Sequence, residues 1–455
     1  MQQSDEAGKS LKVNAIGELS PRRLLAENAS IRRQPYRWRE LNLSGLKLPL
    51  TVSLLNQCIS SGGNFLLSIY LARTLSLGDF GLYGIGYGLC MLYVGIGNSL
   101  ILTQMVIHMP SKNSEMKDIY AAKMLNGVLL LGLSLFVIAS LLLLLLNTLW
   151  RDTVIPADTI YAITSAAIFF LCSEFFISYA YIKRRELLAL VVNSTTMFVL
   201  FVLLLLENQT GIAPSASHVL YFYGLATAIG ALTAYAMSPL HMRDGFLDLR
   251  PDLMESWHLG RWALGGVCIT WIQSQTYAYI ALLFLGPVGV GQANAAKIFI
   301  SPFSFLLPAI NKIALPRLAD LRQTNPEKVL HISSMLTIGI TLLSVIYAAI
   351  LFSSLSFVTT LVLGRQDATI QTLTGLWCLV LMLQMIRAGG SVLLQVERKF
   401  KILTLLNIPS AVITLLLALV LIQSYGVTGA LWSMIAGELS LSFLIWREIF
   451  HDKSR

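Results

Sequence analysis

The chain of 455 residues carries 33 Lys and Arg against 24 Asp and Glu, yet only 13% of its residues are charged and 55% are hydrophobic. A soluble chain holds about 25% charged residues, so this one lacks the polar surface of a water-facing body, and its mean hydropathy of +0.69 excludes a string of soluble domains. Many stretches of about twenty residues carry no charge, and each can cross a bilayer core as a helix; one of them holds the leucine run 141–146.

In chain order, residues 1–47 are polar and basic, contain no apolar leader segment and are expected to be a largely disordered tail. Arg32, Arg33, Arg37 and Arg39, interleaved with Tyr36 and Trp38, suit anionic headgroups, and equally suit an ordinary positive-inside anchor. Apolar runs bounded by charge, Pro or Gly then predict twelve membrane helices. The first six are expected at 48–72, 81–106, 123–147, 158–181, 188–206 and 218–239, forming one lobe over 48–239. Residues 240–260 alternate apolar and charged side chains and read as an amphipathic linker on the cytoplasmic face, or as a plain solvated loop. The second lobe, 261–447, is expected to hold helices at 261–285, 290–314, 330–352, 369–394, 402–423 and 427–447, before a short tail over 448–455. The expected architecture is an all-α polytopic membrane protein with two six-helix lobes around a central cavity.

Charge placement gives the orientation. With both termini cytoplasmic, the outer loops hold only Arg73, Arg151 and Arg365 of the 33 cations. Lys297 and Arg387 lie within spans, and all the others fall in the N-terminal tail, the inner loops or the C-terminus. That is the positive-inside pattern, so the basic balance is a topology signal and not a nucleic-acid signal. The chain also repeats. Arg184-Arg185 with Asn193 corresponds to Arg398-Lys399 with Asn407, Leu77-Gly78-x-x-Gly81 to Leu285-Gly286-x-x-Gly289, and Gly211-Ile212 to Gly426-Val427. The offsets, 214, 208 and 215 residues, point to two parallel halves, an arrangement in which a substrate site commonly lies between the repeats.

Catalytic and cofactor signals are absent. No Walker loop, H-E-x-x-H, G-x-S-x-G or D-x-D occurs, and Gly84-x-Gly86-x-Gly88 lies inside an apolar span, where close helix packing explains it better than phosphate binding. Cys58, Cys90, Cys172, Cys268 and Cys378 all fall in apolar runs, without metal-site or disulfide spacing, and read as packing residues. No enzyme activity, metal or cofactor is expected.

Ionisable side chains within spans are the candidates for function, because a charge in the bilayer costs from about 3 kcal/mol upward. Arg387 and Lys297, with Arg73 at the outer end of the first helix, are candidate cations for an anionic substrate. Glu174, Glu438 and Asp79 are candidates for ion coupling or for charge pairing with those cations. Trp271, Gln273, Gln275, Tyr277 and Tyr279 give the seventh helix a polar and aromatic lining suited to sugars or to interhelical hydrogen bonds. Pro302, Pro308 and Pro316 punctuate the eighth helix and its cytoplasmic exit, where a proline removes a backbone bond and kinks the span.

The stretch Tyr70-Leu-Ala-Arg73-Thr-Leu-Ser-Leu-Gly78-Asp-Phe-Gly81-Leu-Tyr83 resembles the signature joining the first two helices of Wzx-like polysaccharide flippases. These form the polysaccharide branch of the multidrug/oligosaccharidyl-lipid/polysaccharide superfamily. Leu315-Pro316-Arg317-Leu318 and Tyr425-Gly426-Val427-x-Gly429-Ala430 extend the resemblance over residues 45–450. It implies a monomeric, twelve-helix transporter of the bacterial inner membrane. Such a protein moves an undecaprenyl-pyrophosphate-linked oligosaccharide, an O-antigen, capsule or exopolysaccharide unit, from the cytoplasmic to the periplasmic leaflet. The partners implied are membrane lipids, the lipid-linked substrate, and a polysaccharide polymerase with other assembly proteins. The alternatives are a multidrug or cation antiporter of the same superfamily and, from another class, a membrane glycan polymerase or ligase.

Overall fold

The computed structural model describes residues 43–149, 155–211, 213–245, 249–364 and 366–453. Most of the tail expected over 1–47, and Arg365, lie outside these. The helical residues 43–51 belong to one unit and residues 52–455 form the other, to which all but the start of the first helix belongs.

Among the described residues, thirteen helices of nine residues or more follow in order. They are α1 (Leu43–Thr74), α2 (Leu77–His108), α3 (Ser114–Leu149), α4 (Ala157–Ile182), α5 (Glu186–Gln209), α6 (Ala216–Met237) and α7 (Leu249–Ile298). After them come α8 (Leu306–Thr324), α9 (Pro326–Ser353), α10 (Leu355–Leu363), α11 (Ala368–Val396), α12 (Phe400–Tyr425) and α13 (Val427–Lys453). No strand occurs among the described residues. Ten of these stretches are long and apolar enough to cross a membrane. With the 32-residue α1, and with α7 divided at Gly286, where φ is 69° and ψ −174°, the crossing helices reach the expected twelve. Most helices overrun the apolar stretches that predicted them, because backbone hydrogen bonding continues where side chains turn polar at the headgroups.

Capping explains several of the starts. The Ser76 Oγ accepts from the Asp79 amide at 3.0 Å and donates to the Asp79 carboxylate at 2.6 Å, fixing the first turn of α2. Ser215 accepts from the His218 amide at the start of α6, and the Asp367 carboxylate takes the Thr369 and Ile370 amides at the start of α11. The stops divide by end of the bundle. At one end the chain reverses through Gly211, Gly286, Gly364 and Gly426, all with φ between 61° and 70°, a region open to glycine at little cost. The opposite end carries the turns at Arg184 and Arg398. Below, these are the glycine-turn end and the basic end.

The repeat is visible in the backbone. Arg184 (φ 55°) and Arg398 (φ 60°) are the non-glycine residues with left-handed conformation among those described. Each sits just past a helix in the same hydrogen-bond pattern. Arg185 N–H donates to the Ala180 carbonyl and Arg184 N–H to the Tyr181 carbonyl; Lys399 donates to Leu394 and Arg398 to Gln395. Both are Schellman closures, 214 residues apart. Gly211 and Gly426 likewise share a positive φ, whereas Gly78 lies in the first turn of α2 and its sequence match, Gly286, is the turn residue itself. Two of the three sequence correspondences are therefore conformational as well.

Three departures from the expected layout matter for the site. Residues 249–260, read from sequence as linker, are the first turns of α7, and they dock on α3 through the Lys123–Asp252 ion pair at 3.0 Å. The eighth membrane helix is interrupted outright, not merely kinked: the helix from Pro287 stops at Ile298, one turn spans Ser301–Ser304, and α8 resumes at Leu306. Pro302 has no N–H to offer Ile298, and the neighbouring Phe299 carbonyl instead accepts from the Tyr347 hydroxyl of α9 at 2.6 Å. Pro308 and Pro316 remain inside α8. Of the cysteines expected in packing positions, Cys90, Cys172 and Cys378 are buried, but Cys58 and Cys268 are exposed.

Candidate functional site

The halves meet where α2 runs against the two arms of α7, and glycines set how close they come. A Cβ on Gly81 would overlap the Pro287 carbonyl, one on Gly291 the Leu77 carbonyl, and one on Gly84 the Asn294 amide group. Gly88 faces Trp271 and Tyr279, and Gly95 faces Val267. Gly81 and Gly291 thus let backbone approach backbone, while Gly84 makes room for the Asn294 side chain and Gly88 sits in ordinary contact with Trp271 and Tyr279. Further along, Gly260 closes on the Ser99 carbonyl, within a π-helical turn over Asn98–Leu102.

The buried cores show which end is shut. At the glycine-turn end one continuous cluster includes Leu71, Leu75 and Leu204 of the first half together with Val290, Leu363 and Ile370 of the second. Towards the basic end, among the described residues, the core divides. Met105, Met109 and Leu188 belong to a cluster of the first half alone, and Leu318, Val392 and Ile445 to a cluster of the second half alone. The buried apolar core is joined at the glycine-turn end and divided at the basic end, where the first turns of α7 still reach the first half through Lys123–Asp252 and through Gly260 against Ser99.

Lys297 lies within the joined region, flanked in the chain by Ala295, Ala296, Ile298 and Phe299 of that cluster. Ten residues from Pro287, it is about 15 Å along the helix axis from the turn, near the middle of a hydrocarbon core of about 30 Å. Asn294, three residues earlier and so on the neighbouring surface of the same helix, touches Gly84 of the other half. The half-buried Lys297 side chain places its Nζ 5.1 Å from the ring centre of Trp377, a cation–π contact that is strongest where water is scarce. Trp377, 1% exposed, is held by its Nε1 donating to the Ala293 carbonyl at 2.9 Å and by an edge contact with Tyr277 at 5.7 Å. Lys297 makes no ion pair among the described residues.

Arg387 stands in a different setting. Its Nε donates to Glu438 Oε2 at 2.8 Å, and the Gln384 amide donates to Glu438 Oε1 at 3.2 Å. The Glu438 side chain is 9% exposed and that of Arg387 28%. The pair ties α11 to α13 inside the second half, so the charge of Arg387 is already compensated, and its joint placement with Lys297 in one open cation site is not what the geometry displays.

The remaining candidates separate. Arg73 donates through Nε to the Val362 carbonyl at 2.8 Å and through Nη2 to the Leu361 carbonyl. Asp79 caps α2 and also accepts from the Ala216 amide at 3.3 Å, linking the starts of α2 and α6. Glu174 is half-buried in α4 and makes no ion pair among the described residues. The polar and aromatic side chains of α7 divide by helical period. Trp271, Gln275 and Tyr279 are spaced four apart on one face, of which Trp271 and Tyr279 meet Gly88 of the first half. Gln273 and Tyr277 occupy another face: Gln273 donates to Ser410 Oγ at 3.0 Å, and Tyr277 packs on Trp377. No group of three or more His, Cys, Asp or Glu able to hold a metal occurs among the described residues.

Sequence reasoning missed Trp377, Gln384 and Asn294. Gln384 had a usable signal, three residues before Arg387 and so on its face; Trp377 and Asn294 had none, because each acts on a residue of a distant segment. It also missed His218, whose Nδ1 lies 2.7 Å from the buried Glu207 carboxylate.

No protein-family profile and no curated protein sequence matches the chain. Solved structures do. The lipid II flippase MurJ in an inward closed conformation superposes with a TM-score of 0.68 at 10% identity, over 88% of this chain and 87% of that one. A multidrug resistance MATE family transporter of the MOP superfamily, inward-facing, gives 0.65 at 14% identity over 88% and 97%. A eukaryotic MATE transporter gives 0.61 at 11% identity over 90% and 96%. At these identities the likeness is one of fold: an all-helical membrane architecture shared with flippases and multidrug transporters.

Proposed function

We propose that the protein is an alternating-access transporter that moves an anionic, lipid-linked substrate across the membrane, and that Lys297 receives the anionic group. Lys297 carries this reading: it is a cation near mid-membrane, without a carboxylate partner among the described residues, on the stretch of helix where the halves join. Leaving such a charge uncompensated costs several kcal/mol, a cost that a bound phosphate or pyrophosphate offsets. Trp377 lowers it meanwhile by offering a ring face. A core joined at one end and divided at the other supports a state that admits substrate from the basic end. On the positive-inside rule that end is cytoplasmic, with both termini on that side of the bacterial inner membrane. The substrate fitting the sequence resemblance is an undecaprenyl-pyrophosphate-linked oligosaccharide delivered to the periplasmic leaflet. In the absence of a nucleotide-binding motif in the sequence, an ion gradient or a partner protein supplies the drive.

The half-buried Glu174, which makes no ion pair among the described residues, favours a second reading, a cation or drug antiporter, because an unpaired carboxylate recruits organic cations or protons. One experiment separates the two. Purified protein in liposomes is assayed for translocation of a fluorescent polyprenyl-pyrophosphate sugar and, in parallel, for counterflow of ethidium. Lys297→Gln should reduce lipid translocation more than about tenfold, the size expected from losing 1.4 kcal/mol or more of interaction, while Lys297→Arg retains part of it. Full lipid translocation by Lys297→Gln removes the assignment. Ethidium transport lost in Glu174→Gln, with no lipid movement in the wild type, makes the antiporter the better reading.

A further inference from the structure

Arg73 occupies a position that neither the substrate reading nor the packing of α1 accounts for. It is the basic residue of the last turn of α1, and its guanidinium reaches across to the second half, to the carbonyls of Leu361 and Val362. Those two residues lie in the last turn of α10, after which Gly364 takes the left-handed conformation (φ 70°) and donates its own N–H to the Thr360 carbonyl at 2.9 Å. The last carbonyls of a helix have no partner within it. One cation therefore stands at the negative ends of two helices, α1 from the first half and α10 from the second. α10 is fastened to its own half by the buried Leu363 and by Gln371 of α11, which donates to Thr359 Oγ1 at 3.4 Å.

We infer that Arg73 is a latch between the halves: it holds the glycine-turn end shut in the state seen here and releases when that end opens. This rests on the transport reading above but does not depend on which substrate is carried. The neighbouring closure contacts, Gly81 against Pro287 and Gly291 against Leu77, are close packing and can part without stranding a charge. Arg73 and its two acceptors are exposed or half-buried, so water replaces the guanidinium on those carbonyls when they separate, and the bonds can be remade in each cycle. A buried pair such as Arg387–Glu438 lacks that reversibility, because parting it strands a charge away from water. Two donors of one planar fork also fix the approach of α1 to α10, which a lysine cannot do.

The test reads opening directly. In a cysteine-free background, Asn294→Cys lies where α2 crosses the helix after Gly286. Its rate of labelling by an impermeant maleimide from the glycine-turn side reports separation there, with no substrate present. Arg73→Ala should raise that rate about fivefold or more and Arg73→Lys by a smaller factor, while Arg184→Ala at the basic end leaves it unchanged. Unchanged labelling in both Arg73 variants overturns the latch. Loss of folded Arg73→Ala protein together with unchanged labelling of Arg73→Lys overturns it too, and makes Arg73 a structural cap. Raised labelling in a protein that moves no lipid leaves the latch standing and removes the substrate reading. Unchanged labelling in a protein that does move lipid has the opposite meaning.

Discussion

Arg387 and Lys297 look alike in the sequence, each a lone cation in an apolar run, and the structure gives them opposite electrostatic settings. Arg387 is neutralised by a carboxylate 51 residues away in the chain, and Gln384 satisfies that carboxylate's second oxygen. Removing one member of a buried pair leaves the other charged and dry, at a cost of about 3 kcal/mol or more. Arg387→Ala should therefore lower the thermal midpoint in detergent and the amount of protein in the membrane. Arg387→Ala combined with Glu438→Ala should recover much of both. A double variant as unstable as Arg387→Ala alone would show that the pair is not what the single change disrupts. Reading Arg387 as a substrate cation required knowing that α11 and α13 adjoin, and no spacing in the sequence carries that adjacency. The cost of burial was legible; the partner was not.

At the scale of elements, the crossing of α2 over the helix after Gly286 is where glycine matters most. Gly291→Ala places a methyl group against the backbone carbonyl of Leu77, which cannot swing aside as a side-chain end can. Overpacking of this kind costs about 1–3 kcal/mol and wedges the halves apart at their joined end. The expected result is a thermal midpoint lower by a few degrees. Gly62→Ala is the matched control, since its Cβ would meet nothing within 4 Å; it should hold or slightly raise the midpoint through better helix propensity. Equal loss in the two variants would mean that the crossing is not especially tight. Element positions were largely legible because an uncharged run of membrane length has few alternatives to a helix. The interruption at 299–300 was anticipated only as a proline kink. Its exact place depends on Tyr347 of α9 reaching the Phe299 carbonyl, a contact between segments 48 residues apart.

For the whole molecule, orientation is the property most open to a direct check. Gln209 is exposed near the Gly211 turn, and Lys401 is exposed next to the Arg398 turn. With cysteine at each position in turn, in intact cells, an impermeant reagent should label Gln209→Cys and spare Lys401→Cys, and permeabilised cells should label both. Labelling of Lys401→Cys alone would invert the topology, and with it the direction of transport proposed here. The backbone supports the repeat behind this layout. Arg184 and Arg398 both accept a left-handed conformation in the same closure, although such a conformation costs a non-glycine residue about 1–2 kcal/mol.

What the sequence determined alone was the solvent and the count: too few charges for water, and enough uncharged runs of membrane length for twelve helices in two related halves. Those properties are sums along the chain, set by transfer of side chains and backbone between water and hydrocarbon, and they need no partner to be read. Tertiary structure decided which charges are spent and which remain. It paired Arg387 with Glu438, set Arg73 on the carbonyls of α10, and left Lys297 on a tryptophan face at the point where the halves join. The physical reason is range. Burial free energy is additive over residues, whereas the worth of a charge inside a membrane depends on what stands within a few ångströms of it, and that neighbour comes from a distant part of the chain.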